Sequence, residues 1–338
     1  MIITRITTLE TVKKIVKIVF PFAFGLGVLW WMYREEDWGQ FWLSLRTELH
    51  WSWMLFSLIF GITAMTARAH RWGLSLAPLG EKPRRRTLRN AIFLSYASSL
   101  IVPRVGEVMR CGTLKQMDGT SFSKSLGTVV TERLVDAFLM VLLTGLAFIT
   151  QVPRLLDFLG KDLNAFLGRF TTTGYIVTAL SALLVALMGA TFLWWFFVYK
   201  KGNRLFSNLL EGITSIRHMQ QKWLYLALSL GIWVSYFLHF YIAFFAFDFT
   251  ADFSPMEAFF IFCVGTYAVL VPTPNGAGPW HFAVKTMLLI YGAGTITDSE
   301  AIRFALAVHT IQTLLVVVLG IYAWIDLGLM KRQAVVGE

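Results

Sequence analysis

Three short polar stretches interrupt an otherwise apolar chain, and each holds residue types suited to binding an anion. The first is Pro103-Arg104-Val105-Gly106-Glu107-Val108-Met109-Arg110. Arg104 and Arg110 each stand three positions from Glu107, so one helical face would hold all three. A guanidinium stays charged, and its planar fork matches phosphate bidentately. Gly106 lets the backbone bend or approach a ligand closely. The same charges also fit a solvated loop. The second stretch is Glu132-Arg133 with Asp136, in which Glu132 and Asp136 share a face. Charges near membrane depth are costly and usually paired. They either orient Arg104 or Arg110 or fix the depth of a helix end. The third is Pro272-Thr273-Pro274-Asn275-Gly276-Ala277-Gly278-Pro279-Trp280-His281, with Lys285 one turn on. Its prolines and glycines break a helix and expose N–H groups at the next helix start, which favours an anion. His281 can carry a proton. A plain outer loop, with Trp280 as an interfacial anchor, accounts for the same letters. Arg71, His239 and His309 are lesser candidates, more readily explained as structural residues.

These stretches must be positioned by membrane helices. The 338 residues are 56% hydrophobic and 15% charged, with mean hydropathy +0.62. Soluble domains run at about 45–50% apolar and about 25% charged. Six apolar stretches are predicted as spans: 15–33, 51–67, 134–149, 174–198, 223–247 and 303–326. The first has basic residues before it but lacks a small-residue cleavage site, so it is predicted as a retained span. Two further stretches are too short for the roughly 20 residues a span needs. Residues 91–102 stop at Pro103; residues 258–271 stop at Pro272 and resume to about Tyr291. Both are predicted as re-entrant hairpins, whose broken backbone is tolerated only inside protein or along a cavity. The fold class expected is an all-α polytopic membrane protein, one membrane domain over 1–338, with about six spans and two hairpins.

The net charge of +10 does not imply nucleic-acid binding, because the Lys and Arg flank apolar runs. With both hairpins returning to their own side, most basic residues fall in cytoplasmic segments, Arg68 and Arg71 among them. Arg34, Arg46, Arg154, Lys161, Arg169, Lys285 and Arg303 remain outside. Both termini are then cytoplasmic, and the chain is expected in the cell inner membrane. The order span, span, hairpin, span recurs in halves of about 15–150 and 174–326, with opposite orientation. Each half carries an amphipathic stretch, 38–50 and 205–219, between its first two spans. Inverted repeats with broken helices meeting near the midplane are a common transporter plan. Cys111 and Cys263 have no metal-ligand spacing, and the sequence holds no P-loop, zinc pattern, Gly-x-Ser-x-Gly or dinucleotide fingerprint. No cofactor, metal or catalytic residue is therefore expected.

The run Ser99 to Arg110, followed by Thr131-Glu132-Arg133-Leu134-Val135-Asp136, resembles the lysylphosphatidylglycerol synthase transmembrane-region family, also called flippase-like domain proteins. Val271 to Gly278 is similar to that family's Pro-Gly-Gly-x-Gly stretch, with Asn275 where glycine is common and His281 near where an acidic residue is common. The resemblance covers about 15–328 and implies a stand-alone translocator-like module. The chain stops at Glu338, soon after the last span, so no aminoacyl-transferase domain is expected with it. The function expected is translocation of a lipid with an anionic, charged or sugar-phosphate headgroup, held by Arg104, Glu107, Arg110, Glu132, Arg133, Asp136, Asn275, Gly276, Gly278, His281 and Lys285. The alternative is a non-transporting anchor for a cell-envelope enzyme, with the basic stretch Lys82 to Arg89 binding anionic lipid or that partner. A third reading is an enzyme acting on an isoprenoid phosphate.

Overall fold

The computed structural model describes residues 22–34, 36–159, 219–292 and 294–336, and every regular element among them is a helix. Those of ten residues or more are, in chain order, α1 (Phe22–Tyr33), α2 (Trp38–Thr47), α3 (Trp51–Leu76), α4 (Arg85–Ile101), α5 (Gly106–Asp118), α6 (Phe122–Leu159), α7 (Lys222–Tyr241), α8 (Pro255–Ala268), α9 (Pro279–Tyr291) and α10 (Asp298–Val336). Four described segments are long and apolar enough to cross a membrane: Trp51–Leu79, Phe122–Thr150, Lys222–Ala246 and Asp298–Gln333. They contain the stretches expected at 51–67, 134–149, 223–247 and 303–326, apart from Phe247 at the end of the third. The stretch 174–198, residues 15–21 of the first stretch and residues 205–218 of the second amphipathic stretch lie outside the described residues. The first amphipathic stretch forms α2, capped by Asp37, whose Oδ1 accepts from the N–H groups of Gly39 (2.8 Å) and Gln40 (3.2 Å).

The two short apolar stretches form broken helix pairs. Val102 is extended (φ −130°, ψ 116°), as expected of a residue that precedes proline. The chain then turns at Arg104, whose φ of 65° is unusual for a residue with a Cβ. α5 restarts at Gly106, where a Cβ would lie 2.1 Å from the Ser95 carbonyl oxygen. Only glycine fits α5 this close to α4. In the second pair, Ser254 and Glu257 form a capping box and Pro255 occupies the first turn of α8. The helix ends at Ala268, and the chain passes through Asn275 (φ 51°), Gly276 (φ 73°) and Gly278 (φ 90°) before Pro279 opens α9. A Cβ on Gly278 would lie 2.8 Å from the Gly25 carbonyl, so α1 crosses directly over this second break.

Packing follows the chemistry of a lipid solvent, in which close approach and polar contacts hold helices together more than apolar burial does. Gly320 of α10 sits so close to α4 that a Cβ would come within 2.3 Å of the Ala97 methyl. One apolar cluster joins α3, α4, α5 and α6 around Trp72, Ile92 and Leu114; a second joins α7, α8, α9 and α10 around Phe240, Phe244 and Phe304. Leu134, Phe138 and Val141 on α6 are exposed among the described residues, as expected of a surface that meets acyl chains.

Candidate functional site

α3 does not end where the apolar run ends. It continues through Arg68 and Arg71, both buried, so these two lie within a helix of the bundle rather than in a flank beyond its end. Helical spacing places them with Trp72 and Ser75 on the inner face. The carboxylates they need come from α6. Arg68 Nη1 donates to Asp136 Oδ2 at 2.9 Å and Arg71 Nη1 to Asp136 Oδ1 at 2.7 Å. Arg71 Nη1 also donates to Ser229 Oγ at 3.1 Å, and its Nε lies 3.5 Å from Glu132 Oε1. Glu132 in turn pairs with Arg110 of α5, Oε2 to Nη2 at 2.8 Å. Arg110 lies over the Trp72 ring, 4.6 Å from its centroid, and the Trp72 N–H donates to Thr128 Oγ1. Arg71 and Glu132 are wholly buried and Arg110 is 1% exposed. On the outer side of this cluster, Arg133 lies 2.5 Å from Glu107 and 3.7 Å from Asp136, with its side chain 46% exposed.

Six of the residues expected from sequence are thus brought together or adjoin one another: Glu107, Arg110, Glu132, Arg133 and Asp136 in one network, with Arg104 at the break just before α5. Four guanidiniums (Arg68, Arg71, Arg110, Arg133) face three carboxylates (Glu107, Glu132, Asp136), leaving one positive charge in excess. Arg68 Nε is buried and makes no hydrogen bond among the described residues.

The two helix breaks meet. Arg104 Nη2 donates to the Leu270 carbonyl at 3.1 Å, across 166 positions of sequence. In the second break Asn275 joins a closed ring of contacts with α10. His309 Nε2 donates to the Asn275 carbonyl (3.0 Å), Asn275 Nδ2 donates to Thr313 Oγ1 (2.8 Å), and Thr313 Oγ1 lies 3.5 Å from His309 Nδ1. His281 is buried, accepts from the Gly278 N–H at 3.3 Å, and meets His309 ring to ring at 4.4 Å, tilted by 52°. Gly276 and Gly278 supply the left-handed backbone of the turn. Lys285 stands apart from this arrangement, paired with Asp298 at 2.8 Å.

A cavity of about 530 Å³ lies between the network and the second break. One wall carries Arg68, Arg133 and Asp136; the other carries Asn275, His309, Gln312 and His239. Between them the lining is largely apolar and aromatic, with Trp233, Phe262 and Trp280. Tyr96 and Tyr236 share a 2.5 Å hydrogen bond at the margin of the charged wall, and Arg68 lies over the Tyr236 ring. His239 is held by the Ser57 carbonyl (2.8 Å), which leaves its Nε2 beside Gly61 on the cavity side. Arg110, Glu132 and His281 support these walls from behind and do not line the cavity. Sequence reasoning missed Arg68, Tyr96 and Tyr236 as cavity residues. A signal was present for Arg68: with Arg71 it repeats at i,i+3 beside Trp72, a pattern that continues the inner face of the helix.

Among the described residues no group of His, Cys, Asp and Glu is arranged to hold a metal ion. The profile of the lysylphosphatidylglycerol synthase TM region matches residues 18–320. No curated protein and no solved structure matches the chain. The family match spans nearly the whole chain and agrees with its long apolar helices. The protein therefore belongs to the lysylphosphatidylglycerol synthase transmembrane-region family, and is a multi-pass membrane protein of the flippase-like kind.

Proposed function

We propose that the protein translocates a lipid with a phosphate-bearing, anionic headgroup across the cell inner membrane. The observation that carries this reading is the two-natured cavity: guanidiniums on one wall, apolar and aromatic side chains beside them, and two helix breaks touching at its edge. A volume of about 530 Å³ falls in the usual range for small-molecule sites. Asp136 already accepts from Arg68 and Arg71, so it offers little to a cationic group. Arg133, half exposed, is the donor that remains for phosphate oxygens, and the buried Arg68 beside it adds positive charge to the same wall. On this reading Arg133 contacts the headgroup, Arg68 adds positive charge to the wall, and Arg110, Glu132 and Asp136 hold the arginines in place. Asn275, Gly276 and Gly278 shape the opposite wall, and His281 braces His309 from behind. Acyl chains remain in lipid.

In the same reading both helix pairs are re-entrant, entering from opposite faces. The chain has about six spans in inverted halves of 15–150 and 174–326, both termini are cytoplasmic, and the protein moves lipid without chemical change. The anchor alternative has less support, because Arg84 and Arg86 in its basic stretch are engaged internally by Asp118 and Asp326.

Reconstitution into proteoliposomes tests the proposal. Flip of a fluorescent phosphatidylglycerol, read by quenching of the outer leaflet, should slow about tenfold or more in Arg133→Ala, since a hydrogen bond to a charged group contributes about 1.5–3 kcal/mol. Arg133→Lys should recover part of the rate. An unchanged rate in a folded Arg133→Ala protein would remove the headgroup role.

A further inference from the structure

A second cavity, of about 730 Å³, lies between α3 and α4 on the opposite side of α3 from the buried arginines. Its α3 residues repeat at helical spacing, Ala69, Gly73 and Ala77, and with Leu88 of α4 they form an apolar floor. The rim is basic. Lys82, Arg85 and Arg89 line it together with His70, against the single carboxylate Glu81. Arg86 also lines the rim but is paired with Asp326, and Arg89 donates to the Tyr322 hydroxyl at 2.9 Å. Lys82 and Arg85 have no ion pair or hydrogen bond to another described residue.

Depth along α3 matches this division. The helix begins at the exposed Trp51 and Trp53, residues that favour a membrane interface. Twenty residues at 1.5 Å each, from Trp51 to Arg71, span about 30 Å, the thickness of the hydrocarbon core. Ala69 then lies at the inner edge of the acyl region, and Lys82, Arg85 and Arg89 lie at headgroup level beyond it.

We propose that this groove is a binding site for an anionic phospholipid, separate from the central cavity, with the phosphate between Lys82 and Arg85 and the first part of an acyl chain over Ala69 and Gly73. The apolar floor argues for a lipid over a free phosphate, and the unpaired cations argue for an anionic lipid over a zwitterionic one. The site does not depend on the transport reading. Bound there, the lipid would stay with the bundle rather than move through it.

The test uses the full chain in detergent carrying Arg133→Ala, which disables the central cavity, with dihexanoyl phosphatidylglycerol as the probe and calorimetry as the readout. The groove should still bind phosphatidylglycerol. Adding Lys82→Ala and Arg85→Ala should weaken that binding ~25-fold, about fivefold for each charge removed. Dihexanoyl phosphatidylcholine should bind more weakly than phosphatidylglycerol, and added inorganic phosphate should not compete. Neither new substitution removes an internal contact, so elution and melting should be unchanged. The proposal is overturned by equal affinity with and without the two basic residues, by equal affinity for the two lipids, or by full competition from inorganic phosphate.

Discussion

Glu132→Gln isolates the feature on which the rest of the bundle is built. Glu132 has no exposed surface, and it faces Arg110 at 2.8 Å and Arg71 at 3.5 Å. The substitution keeps shape and removes one charge. Arg71 retains Asp136, but Arg110, 1% exposed, is left over the face of Trp72 with no carboxylate to pair with. Removing one partner of a buried ion pair costs about 3–5 kcal/mol, because the other charge remains desolvated. Part of this is offset because the glutamine carbonyl still accepts a hydrogen bond from Arg110, a contribution of about 1 kcal/mol. The net expectation is a loss of about 2–4 kcal/mol, or a Tm lowered by roughly 4–15 °C at a few degrees per kcal/mol. Replacing both partners by apolar residues, Glu132→Leu with Arg110→Met, should recover most of the loss, since buried pairs are often matched by well-packed hydrophobic side chains. The assay is thermal unfolding of the purified proteins in one detergent, run as a double-mutant cycle. A Glu132→Gln protein melting within about a degree of wild type, or additive effects in the cycle, would refute a tightly buried Arg110–Glu132 pair.

Other consequences can be read from fluorescence-detected elution and the flip assay. Gly106→Ala should sharply lower the yield of folded protein, because its Cβ would meet the Ser95 carbonyl at 2.1 Å, whereas Gly112→Ala, with open space around it, should not. Asn275→Gly should keep the left-handed turn (φ 51°) but lose the bond to Thr313, slowing flip with little change in Tm; Asn275→Ala should lower both. Lys285→Ala should leave flip unchanged, since Lys285 pairs with Asp298 away from the cavity.

The sequence revealed the breaks because prolines and glycines act locally. Pro103 forces Val102 to be extended, and Asn275, Gly276 and Gly278 take the left-handed conformations that their types favour. Glu132 and Asp136 were legible as paired charges, but not their partners. Arg68 and Arg71 follow an apolar run and look like the basic flank that ends a span. Only the fold shows that α3 runs on to Leu76 and that Asp136, 65 positions beyond Arg71, pairs with both arginines. Long-range pairing is invisible to periodicity, which is why Tyr96 and Tyr236 also went unnoticed. Arg110 was read as a headgroup ligand from its spacing to Glu107, yet it faces Glu132 and Trp72 while Glu107 faces Arg133. Lys285 followed His281 by one turn, but Asp298 near the start of α10 draws it away. Spacing fixes which residues share a helix face; it does not fix what that face meets.

The central claim is that the cavity between the arginine network and the second helix break holds the headgroup of a phosphate-bearing lipid. Native mass spectrometry of the chain purified gently from its own membrane tests it most directly, comparing wild type with Arg133→Ala and with Ala137→Trp, which fills the cavity from α6. With the α3–α4 groove weakened throughout by Lys82→Ala/Arg85→Ala, the account predicts an anionic phospholipid on the protein with an intact central cavity that Arg133→Ala and Ala137→Trp both lose. The same lipid held equally with and without Arg133→Ala or Ala137→Trp in that background would contradict it.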